Sequence, residues 1–141
     1  MLLTTTETGP WNELKVYSTA IRSRVFIEEQ QIPSSIELDG NDQDYWHFVI
    51  FTDHKAIATA RLANNGLFGR MAVLEPYRHK GIGSLLLQSI SNKATALKLQ
   101  TLNCHAQLSA VNFYKKNGFL VAGNPYQEAG LAHIKMLKSL P

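Results

Sequence analysis

Residues 45–74 hold three strand-like runs in quick succession: "YWHFVIFT", "AIATARLA" and "LFGRMAVL". Each is rich in β-branched, aromatic or small apolar residues. Only "DHK" separates the first two, and only "NNG" the second from the third. Linkers this short join antiparallel neighbours, because a parallel crossover needs roughly a dozen residues or more. The chain is therefore committed to an antiparallel meander. The stretch that follows, "VLEPYRHKGIGSLLLQSI", breaks the apolar pattern with a proline, three basic-type side chains and two glycines. It then resumes as a helical stripe through Ile82, Leu85, Leu86, Ile90, Ala94 and Leu97.

The remaining segments fit around this centre. "LLTTTE" reads as a short edge strand, with Pro10 in the first turn of a helix. Trp11, Leu14, Tyr17, Ser18, Ile21 and Val25 recur at helical spacing, so the helix is expected over 11–29. "QQIPSSIELDGND" reads as loop. "LQTLNCHA" is a strand, "SAVNFYKKN" a short helix ended at Asn117–Gly118, and "FLVAG" and "LAHIKML" are the last strands. The expected order is β-α-β-β-β-α-β-α-β-β, an α/β (α+β) mixed sheet with helices packed on it. At 141 residues, without repeat or linker, one domain over 1–141 is expected. No apolar run approaches a bilayer span, and "MLLTTTETGPW" has no basic leader, so a cytoplasmic location without a membrane partner is expected. Cys104 stands alone, which rules out an intrachain disulfide and suits a small buried hydrophobe.

A glycine-containing turn that enters a helix leaves the first helical N–H groups without partners. Those donors and the positive end of the helix dipole attract anions, phosphate above all. Gly81 and Gly83 lack a Cβ, so a phosphate can approach the backbone there. Arg78, His79 and Lys80 place charge beside the turn, and Arg78 can fork onto phosphate oxygens. The spacing matches neither a P-loop, where Lys would follow the second glycine, nor a dinucleotide fingerprint, where Leu86 occupies the third glycine position.

Charge is unevenly placed along the chain. Residues 1–53 carry three Lys/Arg against nine Asp/Glu, and residues 54–141 carry eleven against two. This suits an anionic ligand for the second half and a cationic one for the first, or two halves that interleave with their charges in solvent. The sequence pI of about 9.1 comes with no basic run longer than two residues and no stacking motif, so a nucleic-acid partner is not expected. His47, His105 and His133 lie far apart without paired ligand spacing, so no metal is expected.

"VLEPYRHKGIGSLLL" resembles the acyl-CoA-binding motif of the GNAT N-acetyltransferase superfamily, R/Q-x-x-G-x-G/A, with Arg78, Gly81 and Gly83 in its fixed positions. "RSRVFIEEQQIPSSIELDGNDQDYWHF" is similar to the R-x-x-V-F-x-x-E-Q…E-x-D…D…H pattern of the ElaA-like subgroup, and "HAQLSAVNFYKKNGF" with "EAGLAHIKM" to its second half. The resemblance implies a GNAT fold with a central pair of parallel strands that splay apart. It implies acetyl-CoA as co-substrate and an amine acceptor, as a monomer or a homodimer. It also implies main-chain contacts from Met71, Ala72 and Val73 to the pantetheine arm, and a diphosphate wrapped by Arg78, His79, Lys80, Gly81, Ile82, Gly83 and Ser84. Gln107 and Asn112 would touch the cofactor, and Tyr114 would be the general acid to the departing thiolate.

Acyl transfer to an amine needs a neutral amine, a polarised carbonyl and a proton for the leaving sulfur. The activity that the resemblance implies is acetyl transfer from acetyl-CoA to a primary amine, on a small molecule or a lysine. A non-catalytic CoA-binding sensor or partner domain of the same fold is the alternative. The base is open among Glu28, Glu29, Asp44, His47, His105 and Glu128, with Glu29 and His105 preferred, or a water chain to bulk solvent takes the place of a dedicated base. Asp44, His47 and Glu128 are candidates for the acceptor site. The loop carboxylates Glu37, Asp39, Asp42 and Asp44 would either draw an amine electrostatically or cap helices and turns.

Overall fold

The computed structural model describes residues 2–141. Strand β1 spans Thr5–Pro10, three residues later than "LLTTTE", and pairs antiparallel with β2. Pro10 ends this edge strand and caps helix α1 (Trp11–Arg22) instead of entering its first turn. The helix runs on into wider π-helical turns over Ser23–Glu29, which together fill the expected 11–29. Trp11, Leu14, Ser18, Ile21 and Val25 form its buried stripe. Tyr17 leaves the stripe and packs edge-on against Phe51 at 5.0 Å between centroids. A short helix α2 (Ser34–Glu37) interrupts the segment expected as loop.

The meander is present as β2 (Tyr45–Thr52), β3 (Lys55–Ala63) and β4 (Phe68–Val73), giving a sheet in the order β1-β2-β3-β4. Helix α3 (Ile82–Ala96), β5 (Thr101–Gln107) and helix α4 (Val111–Lys116) follow. A second sheet runs β5-β8-β6, with β6 at Leu120–Val121 and β8 at Leu131–Ser139. The sequence reading missed β7 (Tyr126–Glu128), which forms a hairpin with β8. Its turn residues Ala129 and Gly130 both have positive φ, 54° and 76°, the backbone sense that tight two-residue hairpins use.

Among the described residues the two sheets meet at a single parallel bridge, Leu67 to Asn103, where the Asn103 amide donates to the Gly66 carbonyl at 3.0 Å. Beyond it β4 and β5 run side by side in separate sheets: they are the splayed parallel pair. Phe48, Ile50, Leu62, Phe68, Ile82, Leu86, Ile90, Leu102 and Met136 fill one core between the sheets and α3. Full burial of each large apolar side chain is worth about 1.5–3 kcal/mol. Ile21, Val25, Phe26 and Ala72 form a second cluster under α1. The first sheet is thus covered on both faces, which explains why "FVI" in β2 is unbroken by a polar residue and fully buried.

Candidate active site

The splay is built by local backbone choices. Between the pairs Thr59–Ala72 and Arg61–Gly69, β4 places two residues, Arg70 and Met71, opposite one residue of β3. Such a bulge breaks the ladder locally and bends the strand. Arg70 adopts φ 49°, an uncommon conformation for a side chain of its size. The wedge between the strands opens into a cleft of about 1140 Å³ lined by Met71, Ala72 and Val73 on one side and Cys104, His105, Ala106 and Gln107 on the other.

One end of the cleft is the start of α3. Gly81 caps the helix at φ 81° and no side chain satisfies the first turn. The first amide to bond back is Leu85, to the Gly81 carbonyl at 3.2 Å, so Ile82, Gly83 and Ser84 present their N–H groups outward. A Cβ on Gly81 would meet nothing within 4 Å, which leaves the cradle open. Gly83 is glycine for a different reason: a Cβ there would lie 2.9 Å from Cζ of Phe113. Its small size makes room for α4, not for a ligand alone.

Arg78 does not fork outward as expected. Its Nε donates to the Val73 carbonyl at 2.9 Å and one terminal nitrogen donates to Glu29 at 2.8 Å. The guanidinium staples the loop to β4 and occupies the Glu29 carboxylate, one of the two preferred bases. His79 lines the cleft with Gly81, Ile82, Gly83 and Ser84, whereas the Lys80 side chain stays outside it. Asn112 is exposed on α4 and is not part of the lining either.

Tyr114 comes from α4 into the cleft wall. Phe68, Phe113 and Phe119 surround its ring at 6.1, 5.1 and 5.6 Å between centroids. Its hydroxyl donates to the Met71 sulfur at 3.6 Å, at the bulge itself. Burial, with a smaller contribution from Cys104, pushes the phenol well above the usual tyrosine range, so it keeps its proton. Burial likewise pushes the Cys104 thiol up to about 12, which suits packing and not nucleophilic attack.

The acidic loop is not a free negative rim. Arg22 donates to Glu37 at 2.7 Å and to Asp42 at 2.7 Å, with 1% of its side chain exposed. Arg61 pairs with Asp39 at 2.6 Å and Asp42 at 2.8 Å, and Arg70 reaches Glu37 at 3.2 Å. Three guanidinium groups thus meet three carboxylates. Hydrogen bonds from Arg61 hold Asp39 well below the usual carboxylate range. Burial alone would raise Asp42, but Arg22 and Arg61 outweigh it and lower it. The charges of Glu37, Asp39 and Asp42 are met by arginines of α1, β3 and β4 rather than left to draw an amine, and Asp44 is exposed outside this network. His47 is buried against Trp11, at 4.5 Å between rings, and bonds the Asp42 carbonyl at 2.8 Å, away from the cleft. Burial lowers its basicity. Asp44 and Glu28 are also outside the lining.

The cleft is also walled by β5, by β8 and by Glu128 of β7. The ring of His105 bonds the Tyr126 hydroxyl. Tyr126 stacks with His133 at 6.1 Å, and Glu128 lies 3.8 Å from the His133 ring. Gln107 donates to Gln30 at 2.9 Å, joining β5 to the end of the first helix. Tyr126, His133, Gln30 and Arg70 were not singled out from sequence as site residues. The charged Arg61 and Arg70 inside otherwise apolar strands were the available signal, because a buried charge requires a partner.

A family model described as an acetyltransferase (GNAT) domain matches residues 13–140. The chain belongs to the GNAT acetyltransferase family. This GNAT chain is 29% identical over 122 residues to the uncharacterized N-acetyltransferase YjcF of Bacillus subtilis, with 84% of this chain and 87% of that one covered. It is 27% identical over 129 residues to the protein ElaA of Escherichia coli, covering 85% and 84%. The crystal structure of Escherichia coli ElaA superposes with a TM-score of 0.85 at 25% identity, over 96% of this chain and 99% of that one. An acyl-CoA N-acyltransferase from Pseudomonas aeruginosa gives 0.84 at 26% identity, over 96% and 99%. The ElaA-like resemblance and the GNAT fold read from the sequence are both borne out. Among the described residues no helix is long and apolar enough to cross a membrane.

The GNAT fold typically binds acetyl-CoA, and the residues present fit it. The outward amides of α3, the open Gly81 cradle and the unpaired edges of β4 and β5 are the features that a diphosphate and an amide-bearing arm require.

Proposed function

We propose that this chain transfers the acetyl group of acetyl-CoA to a primary amine by direct attack, without a covalent enzyme intermediate. The observation that carries this reading is the position of the Tyr114 hydroxyl, on Met71 of the bulge between the α3 amides and the β4–β5 splay. Acetyl-CoA supplies the activated thioester carbonyl. The amides of Ile82, Gly83 and Ser84 hold the diphosphate. The main chain of Met71, at the bulge, and of Ala72 and Val73, which pair with β3 on one edge only, orients the arm and gives a donor to charge developing on oxygen. Arg78 acts through its staple to Val73, which fixes the loop.

Tyr114 holds a proton beside a sulfur. The thioether it faces is a weak acceptor, so a sulfur that is gaining negative charge competes for the same hydrogen bond and wins. With Cys104 buried and protonated, no thiol is poised to take the acyl group.

Thermal-shift titration with CoA, NAD and ATP tests the binding half, and free-thiol release across an amine panel tests the chemistry. CoA alone is expected to stabilise the fold. Tyr114→Phe is expected to lose turnover by about 100-fold while keeping CoA binding. Stabilisation by NAD or ATP but not CoA overturns the reading. CoA binding with no thiol release from any amine replaces it with a non-catalytic CoA-binding domain.

A further inference from the structure

We infer that His133 is the residue that takes the proton from the attacking amine. The assignment rests on the acetyl-transfer reading above and adds the base which that reading leaves unfilled. Of the two bases preferred from sequence, Glu29 is held by Arg78, and Nδ1 of His105 bonds the Tyr126 hydroxyl, which can donate as well as accept and so does not fix the His105 tautomer.

His133 is a buried, cleft-lining imidazole, 7% exposed, on β8. Its Nδ1 lies 2.8 Å from the Leu131 carbonyl oxygen. A carbonyl only accepts, so Nδ1 carries the hydrogen, and in the neutral ring Nε2 keeps its lone pair. That hydrogen bond fixes both the tautomer and the ring plane. Tyr126 stacks on the ring from β7 at an interplanar angle of 28°. Gln107 is its register partner on β5, at the strand end nearest the cleft. The charged group facing Nε2 is Glu128, 3.8 Å away and 54% exposed. The titratable groups around His133 are therefore Glu128 and Tyr126 on β7, with His105 of β5 beyond Tyr126.

This arrangement has what a general base needs: a bare nitrogen in the cleft, an orienting partner on the other ring nitrogen, and a carboxylate beside the charge that forms. The exposed Glu128 also gives the proton a route to water. As the amine nitrogen bonds to the carbonyl carbon and the carbon–sulfur bond breaks, one N–H proton passes to Nε2 and the Tyr114 proton passes to sulfur. Afterwards His133 releases a proton to solvent and Tyr114 regains one, so the cycle balances.

The test compares wild type, His133→Gln and His133→Asn in kcat/KM from about pH 6 to 9, with CoA affinity measured alongside. The Asn amide sits where Nδ1 does and can still donate to the Leu131 carbonyl, the Gln amide sits where Nε2 does, and neither can take up a proton at these pH values. The expected result is a fall of about 100-fold near pH 7 with CoA affinity unchanged. The variants' rates should climb with pH where wild type levels off, and added imidazole should restore part of the loss. Activity within about threefold of wild type, a loss by the same factor at every pH, or loss of CoA affinity overturns the assignment. Nitrogen-15 NMR of the wild-type ring, recorded where it is neutral, needs no variant: the Nδ1–H tautomer supports the assignment and the Nε2–H tautomer refutes it. Wild type that releases no thiol with any amine sinks the underlying reading. Active wild type with unaffected variants sinks only the role of His133.

Discussion

Replacing Arg22 by methionine removes the hub of the ionic network while keeping a long apolar stem. The guanidinium donates to Glu37 through two nitrogens and to Asp42 through a third. Its loss leaves two carboxylates, 3% and 8% exposed at the side chain, short of a partner. Breaking a buried pair by deleting one member costs about 3–5 kcal/mol. Each kcal/mol lowers Tm by roughly 3–5 °C for a domain of this size, so a fall of about 9–25 °C is expected at pH 7. The pH dependence separates charge burial from lost packing. In wild type, Asp39 and Asp42 lie below their unfolded value, so their stabilisation is complete above it and drains away as pH falls through the folded value. Without Arg22, Asp42 loses its largest lowering influence while the opposing effect of burial remains. The variant then accepts protons at higher pH than wild type, so the stability gap between them narrows on acidification. Calorimetric melts at steps from about pH 7 down to about 3, past the unfolded carboxylate range, measure that gap. A gap that stays constant, or a loss under about 1 kcal/mol at pH 7, refutes the argument.

Gly83→Ala should destabilise the start of α3 by about 1–3 kcal/mol, because the new methyl falls 2.9 Å from Phe113, and Phe113→Ala should reverse much of that loss in the double variant, read by thermal melts. Gly81→Ala meets no clash but must hold φ 81°, so it should cost about 1–2 kcal/mol in melts and weaken CoA binding in calorimetric titration. Cys104→Ala should leave kcat within about threefold of wild type, and in the native protein the thiol should react with an aromatic disulfide only at the rate of unfolding, since burial holds it protonated.

The elements that sequence made legible are those set by local chemistry. Short turns fixed the meander, Gly81 and Gly83 marked the entry to α3, and periodic apolar residues marked the helices. What stayed hidden depended on partners far along the chain. Glu37, Asp39 and Asp42 look alike as loop carboxylates until Arg22, Arg61 and Arg70, up to thirty-odd residues away, claim them. β7 is three residues long and shows itself only through its pairing with β8. The bulge at Arg70 follows from β3 register and from the pull of Glu37 on the guanidinium, which no window of sequence around residue 70 contains. His133 sat in view as a strand histidine, and what sets it apart is the Leu131 carbonyl on one nitrogen, the Glu128 carboxylate near the other and its place in the cleft lining.

The same network explains how a wedge can exist between two strands that would otherwise pair. Closing the splay would give β4 and β5 additional main-chain hydrogen bonds, each worth about 0.5–1.5 kcal/mol net. Two features oppose that. The bulge aims the main chain of Arg70 and Met71 off the ladder, and Arg70 is held in its left-handed conformation by Glu37, itself anchored by Arg22 from α1. From the other side, the aromatic cluster of Phe68, Tyr114 and Phe119 fills the base of the wedge, so the strands cannot approach without displacing Tyr114. The residues that would carry the chemistry and those that keep the cleft open are therefore coupled through Arg70. A charge placed for stability in the acidic loop determines where the β4 main chain points.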